Sequence, residues 1–251
     1  MKIDILTLFP SMFSPLSESI LGKAQEKGLL DITVTNIRDF TLDKHNKTDE
    51  YPFGGGVGMV MTCDPIFRTL EHIGTDNRKL IYMSPRGNVL DQEKILELKD
   101  TDPVILCGHY EGVDQRILEY YDMEEISIGD YILTDGKLAA MVLVDSVARM
   151  VPGVLKSETA TMEESVYSGL LESPQYTKPR VYKEMEVPEV LLSGHHKNIH
   201  LWNLEQSLLL TAKRRPDLLK AFAEKKDLLT KEEIKLLEKA LKCCKIRFGD
   251  E

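Results

Sequence analysis

Cysteine is scarce in this chain, and what there is does not pair. Cys63, Cys107, Cys243 and Cys244 form no CxxC spacing, and four thiols in 251 residues cannot staple a domain of this size. A disulfide scaffold is therefore excluded, and a reducing, cytoplasmic setting is expected. Long apolar runs are missing as well. Leu138 to Val144 is among the longest, far short of the ~20 residues that cross a membrane. Met1-Lys2-Ile3-Asp4 sets an acid inside a short apolar run with no small-residue cleavage site, so no secretory leader is expected. GxxxxGK[ST], HExxH and PCxxC occur nowhere, and Met59 breaks GxGxxG after Gly54–Gly58. Those absences remove the P-loop, zinc-peptidase, zinc-deaminase and dinucleotide readings. No internal repeat appears.

An excess of positive charge is lacking too. The chain carries 32 basic and 41 acidic groups, a net of −9, which at first sight argues against a polyanionic partner. The charge is lopsided, however. Residues 1–177 hold 16 basic and 29 acidic groups, a net of −13, whereas residues 178–251 hold 16 and 12, a net of +4. Local sign governs docking of a polyanion more than the total does. A solvated, lysine-rich helical tail would have the same composition.

What is present is an ordinary globular composition, 42% hydrophobic and 29% charged, long enough for one large or two modest domains. Residues 2–8, 32–37, 79–83, 104–107 and 125–128 are short β-branched or apolar runs that read as strands. Between them, residues 15–27, 64–74, 91–99, 113–121 and 137–150 read as helices, the first two opened by Ser14-Pro15 and Asp64-Pro65. Alternation of this kind implies an α/β domain, a mostly parallel sheet covered on both faces. The pattern fails from Pro152 to about Tyr176, in a polar segment of a length that is usually functional or a linker. Three helices are expected beyond it, at 199–212, 217–226 and 231–244, the last with amphipathic spacing. The expected division is an α/β domain over 1–156, a linker over 157–177 and a small all-helical domain over 178–251.

Glycine marks the candidate site. Gly54-Gly55-Gly56-Val57-Gly58 is either a flexible turn or a close backbone approach to a ligand. Three further turns each follow a strand: Ser84-Pro85-Arg86-Gly87, Gly108-His109-Tyr110-Glu111-Gly112, and Gly129-Asp130-Tyr131-Ile132-Leu133-Thr134-Asp135-Gly136. Ligands of open α/β sheets sit beyond the carboxyl ends of strands, so these loops can enclose a flat ligand, although generic glycine turns fit the pattern equally. His109-Tyr110-Glu111 and the pair His196 and His200 invite a metal but lack further ligands. Glu163 and Glu164 lie in the polar segment, and Arg149 closes the 142–150 helix, where it also complements the helix dipole.

In this order the pieces resemble the bacterial tRNA (guanine-N1-)-methyltransferase family, the TrmD family of the SPOUT superfamily. The likeness runs from Leu6-Thr7-Leu8-Phe9-Pro10 through Pro52-Phe53-Gly54-Gly55-Gly56, Cys107-Gly108-His109-Tyr110-Glu111-Gly112 and Ser127-Ile128-Gly129-Asp130-Tyr131. It continues through Asp145-Ser146-Val147-Ala148-Arg149 to Leu192-Ser193-Gly194-His195-His196. The resemblance implies a SPOUT-type sheet with a C-terminal trefoil knot, although knots are nearly absent from proteins. It implies an obligate homodimer with active sites between subunits. It also implies methylation of N1 of guanine 37, 3′ of the tRNA anticodon, by S-adenosyl-L-methionine. The family's cofactor positions fall on Tyr82, Ser84, Pro85, Gly87, Gly108, Tyr110, Glu111, Gly112, Ser127, Ile128, Gly129, Asp130, Tyr131, Ile132, Leu133 and Gly136. Its catalytic aspartate falls on Glu164, with Glu163 a neighbouring alternative, and its arginine on Arg149. Contacts to tRNA are expected from His45, Gly55, Gly56, Lys178, Arg180, His196, Lys213, Arg214 and Arg215. Magnesium dependence is implied without a readable ligand set.

The chain departs from the family pattern at Val57, Asn46, Asp135 and Ala139, and Asp135 puts a charge near the cofactor wall. A SPOUT enzyme with another RNA target and a non-catalytic cofactor- or RNA-binding protein are the rival readings.

Overall fold

The computed structural model describes residues 1–155, 165–166 and 168–248. The chain forms two compact units, Met1–Lys156 and Ser157–Glu251.

The first unit is built on a five-stranded sheet of β1 (Lys2–Thr7), β2 (Asp31–Asn36), β5 (Leu80–Val89), β6 (Val104–Cys107) and β7 (Glu124–Ser127). Its order is β2-β1-β6-β5-β7, and each neighbouring pair is parallel. The alternation of side chains along a strand explains the layering. Ile3, Ile5, Ile81, Met83, Ile105 and Cys107 point to one face, where α1 (Ser19–Glu26), α3 (Gln92–Leu98) and α5 (Lys137–Ala148) cover them. Leu6, Leu80, Tyr82, Val104 and Leu106 point to the other, beneath α2 (Cys63–Ile73) and α4 (Gln115–Tyr120). Both faces are dry, which is why these strands read as continuous apolar runs.

Asp4 interrupts β1 and is only 2% exposed, because Arg78 Nη1 lies 2.6 Å from its carboxylate. Arg78 also donates from Nε to the Asp102 carbonyl at 2.9 Å. The acid in the first apolar run is thus a buried, paired group.

Three local differences from the sequence expectation have clear causes. Pro10–Ser17 forms a 3-10 helix, and the chain breaks before α1 at Ser19, whose φ is +55°. A Cβ at Gly22 would lie 2.1 Å from the Ser17 carbonyl oxygen, so glycine permits that sharp join. The hairpin of β3 (Asp49–Glu50) and β4 (Val60–Met61), which brackets the glycine loop, was too short to show periodicity. Finally, Ser84-Pro85-Arg86-Gly87 does not end its strand. Met83 and Asn88 both pair with Ile126, so the four residues between them are extruded from a strand that runs on to Val89. Gly87 makes this possible, since a Cβ there would sit 2.3 Å from the Glu125 carbonyl.

In the second unit a short hairpin, β8 (Val181–Tyr182) and β9 (Met185–Glu186), precedes four helices. These are α6 (Glu189–Leu192), α7 (His196–Arg214), α8 (Pro216–Ala223) and α9 (Lys231–Phe248). The unit is therefore not all-helical. Leu208, Ala212, Leu219, Leu237 and Ala240 form its core together with Leu170, from the segment expected to be linker. The Leu171 amide donates to Thr211 Oγ1 at 2.9 Å, and Thr211 is fully buried. The end of that polar segment is thus part of this unit's packing. α9 opens with a reciprocal cap: Thr230 donates from its amide and hydroxyl to Glu233 Oε2, both at 2.8 Å.

Candidate functional site

The extruded Ser84–Gly87 segment and the loops after β6 and β7 enclose one cavity of about 270 Å³. Its floor is Tyr82 and Met83 of β5 with Ile126 and Ser127 of β7; its walls are Ser84 and Pro85 of the extruded segment and residues from the 108–112 and 128–136 loops. All of the cofactor candidates line it except Gly87 and Asp130. Gly87 is spent on the close crossing with Glu125, and Asp130 is exposed.

Its shape depends on missing side chains. A Cβ on Gly108 would lie 2.6 Å from the Tyr82 hydroxyl, and one on Gly136 would lie 3.2 Å from both the Gly108 nitrogen and Met83 Cβ. Ser127 shapes the third loop: its hydroxyl accepts from the Gly129 amide at 3.2 Å and donates to the Gly129 carbonyl at 3.1 Å. The Gly136 amide donates to the Gly108 carbonyl at 3.1 Å, tying two walls together. Tyr110 holds a left-handed φ of +56°, a strained conformation that tends to mark a site where backbone must be presented. Burial pushes the Tyr82 phenol up, with Arg86 pulling the other way. Complete burial likewise raises the thiol of Cys107, a core residue just before the 108–112 loop.

Met83, His109, Ile126 and Thr134, none of them among the expected cofactor positions, also line the cavity, as do Asp135 and Ala139, the two departures from the family pattern expected near the cofactor. All but Ala139 lie within the recognised strands and loops, so the signal was their position rather than their chemistry. Ala139 enters from the first turn of α5.

The glycine loop lies beside this cavity. The Glu111 amide donates to the Met59 carbonyl at 3.0 Å and the Met61 amide to the Gly112 carbonyl at 2.9 Å. A Cβ on Gly58 would meet Glu111 Cγ at 2.5 Å. Gly55 and Gly56 have φ of +79° and +130° at the loop's open tip, and His45 is exposed on the preceding loop. Arg149 caps the C-terminus of α5 and is half-buried. Glu163 and Glu164 lie outside the described residues.

The other nucleic-acid candidates belong to the second unit. Lys178, Arg180, His196, Lys213 and Arg214 are exposed there. Arg215 is engaged, donating to Asp217 from Nε at 3.0 Å and from Nη2 at 2.6 Å. That contact raises the guanidinium and lowers the carboxyl. His200, one of the paired histidines, places Nε2 2.9 Å from Glu233 Oε1.

Fold and site define the class: a parallel α/β protein whose loops wall a cavity, followed by a mostly helical unit with a basic excess beyond residue 177. The family model for tRNA (guanine-1)-methyltransferase TrmD matches residues 1–221. A tRNA (guanine-N(1)-)-methyltransferase of Alkaliphilus metalliredigens is 55% identical over 234 residues, covering 90% of this chain and 95% of the relative. One of Clostridium tetani is 52% identical, covering 94% and 97%, and one of Syntrophomonas wolfei is 53% identical, covering 92% and 96%. The chain belongs to the tRNA (guanine-1)-methyltransferase family, a family of transferase enzymes.

Proposed function

We propose that the chain transfers a methyl group from S-adenosyl-L-methionine to N1 of guanine 37 in tRNA, on the 3′ side of the anticodon. The observation that carries this reading is the convergence of three glycine-bearing loops on one cavity in a member of this family. The residues fit such a cofactor: backbone amides and carbonyls, apolar side chains and glycines whose Cβ positions are already occupied. When bound, S-adenosyl-L-methionine supplies a methyl group on a positively charged sulfur.

The protein's part is to activate the base. N1 of guanine carries a proton and is a poor nucleophile until the proton leaves. Glu164 takes that proton as the N1 lone pair forms its bond to carbon. The electrons of the broken carbon–sulfur bond stay on sulfur, which leaves neutral. Negative charge gathering on O6 is stabilised by the guanidinium of Arg149. Gly55, Gly56 and His45 present backbone and imidazole beside the cavity, while Lys178, Arg180, His196, Lys213, Arg214 and Arg215 meet phosphates. Magnesium finds no partner set: among the described residues no three His, Cys, Asp or Glu side chains are grouped to hold a metal ion, and none of these steps uses one.

The SPOUT knot and the homodimer belong to the same proposal. Supporting the knot, the chain leaves edge strand β7, passes Gly136 against Gly108 and Cys107, and returns in α5 over β1 and β6. Supporting the dimer, Leu138 and Val142 on α5 and Ile132 at the cavity lip are exposed, Ile132 by 79%, an apolar patch suited to a second copy. A cytoplasmic location follows from the tRNA substrate, and no described helix is long and apolar enough to cross a membrane.

Labelled S-adenosyl-L-methionine with tRNA transcripts carrying G37 or A37 tests the function. Label should reach G37 alone; equal transfer to A37 would sink the proposed target. Glu164→Gln should abolish turnover while cofactor binding persists. A fully active Glu164→Gln with an inactive Glu163→Gln would move the base to the neighbour.

A further inference from the structure

The cavity wall contains an ion pair that the reaction above does not use. Asp135 lines the cavity, and its carboxylate contacts Lys137 Nζ, both side chains being about nine-tenths buried. The same carboxylate accepts from the Lys137 amide at 3.0 Å, which anchors the last loop to the start of α5. Lys137 Nζ rests 4.4 Å from the centre of the Phe9 ring. His109, from the facing loop, brings Nδ1 to 3.5 Å from Asp135, and that nitrogen is buried with no hydrogen bond. The other carboxylate on the wall, Glu111, is exposed and screened by water.

A lone buried carboxylate in this wall would favour a cationic ligand, and a lone buried ammonium would disfavour it; as a pair they largely cancel. We infer that the Asp135–Lys137 pair sets how the cavity discriminates between the cationic sulfonium donor and its neutral thioether product. Asp135 positions the loop, and Lys137 is the counter-charge that stops Asp135 from selecting for the sulfonium. Donor and product differ at the sulfur by a methyl group and a unit of charge, so their affinity ratio reads the wall's charge directly. The inference rests on the cavity being the S-adenosyl-L-methionine site.

The test is calorimetric titration of S-adenosyl-L-methionine and S-adenosyl-L-homocysteine into the full-length protein and three variants at low salt. Lys137→Met should shift the ratio about tenfold toward the donor, and Asp135→Asn about tenfold toward the product. The double variant should return to within about twofold of wild type. Loss of packing alone would weaken both ligands alike and leave the ratio unmoved. Single variants whose ratios stay within twofold of wild type, or move in the same direction, overturn the inference. If Lys137→Met fails to fold, Asp135→Asn decides by the sign of its shift. Wild type that binds neither ligand defeats the function reading itself, whereas binding of both with unchanged ratios defeats only the role of the pair.

Discussion

The two units of this protein place charge differently. In the α/β unit the telling pairs are inside: Asp4, on an interior strand, with Arg78, and Asp135 with Lys137 beside the cavity. In the second unit the pairs that cross between helices, Lys197–Glu232, His200–Glu233 and Lys239–Glu205, have at least one side chain well exposed. An interior pair holds one geometry, and losing one partner strands a charge in a poor solvent. A surface pair contributes about 0–1 kcal/mol and is screened by salt, so its cations can be redirected to another anion at small cost. One unit buries the charge that shapes its cavity, and the other keeps its charge pairs at the surface. The four acids among residues 157–177 make the second unit neutral as a whole, so the positive excess is confined to the part beyond them.

The comparison can be tested from its strongest consequence downward. Arg78→Met should cost about 3 kcal/mol, leaving the buried Asp4 carboxylate only the half-exposed Lys2 ammonium at 3.3 Å; urea unfolding measures it, with hydrogen-exchange protection lost in β1 and β6. A loss under 1 kcal/mol would mean that Lys2 alone is enough to hold Asp4. Gly87→Ala forces a methyl group into the Glu125 carbonyl and should cost about 2–3 kcal/mol, with the tethered Ser84–Gly87 wall loosening. Unchanged stability would show that the strand crossing can relax.

Thr211→Val in the second unit should cost about 2 kcal/mol, because the Leu171 amide loses its acceptor. Fast exchange at Leu171 while α7 stays protected would report it. The smallest effect is on pH dependence. Contact with His200, then the Thr230 amide and hydroxyl, holds the Glu233 carboxyl at about 2 against an ordinary 4.5. Because the folded value is the lower one, Glu233 stabilises the fold above pH 4.5, and that contribution drains away as pH falls from 4.5 toward 2. Circular dichroism across that range should show Glu233→Gln with a shallower acid transition. An identical transition would mean that the surface pair contributes nothing.

Much of the α/β architecture was legible because its signals are local. Val104-Ile105-Leu106 announces a strand covered on both faces, and Asp64-Pro65 announces a helix start. Less legible were features set by contacts far along the chain. Ser84–Gly87 reads as a turn, yet pairing with Ile126 on both sides makes it an extrusion from one strand. Leu170 sits in a polar, serine-rich segment and gives no sign that Leu208 and Leu219 bury it. Thr230-Lys231-Glu232-Glu233 is a readable cap signal that was available to mark the last helix more firmly. The cavity divides the same way: its glycines stand out by spacing and Asp135 by its departure from the family pattern, whereas nothing in the sequence shows that Lys137 pairs with Asp135 or that His109 faces it.

Taken alone, the sequence determined the alternation of strands and helices, the glycine-bearing loops after β6 and β7 and the excess of base beyond residue 177. Each of these follows from residue types within a few positions of one another. The tertiary structure decided which loops face each other, which charges lost their water and which glycines are needed for passage rather than for binding. Those outcomes depend on through-space distances between residues tens of positions apart, and periodicity carries no record of them.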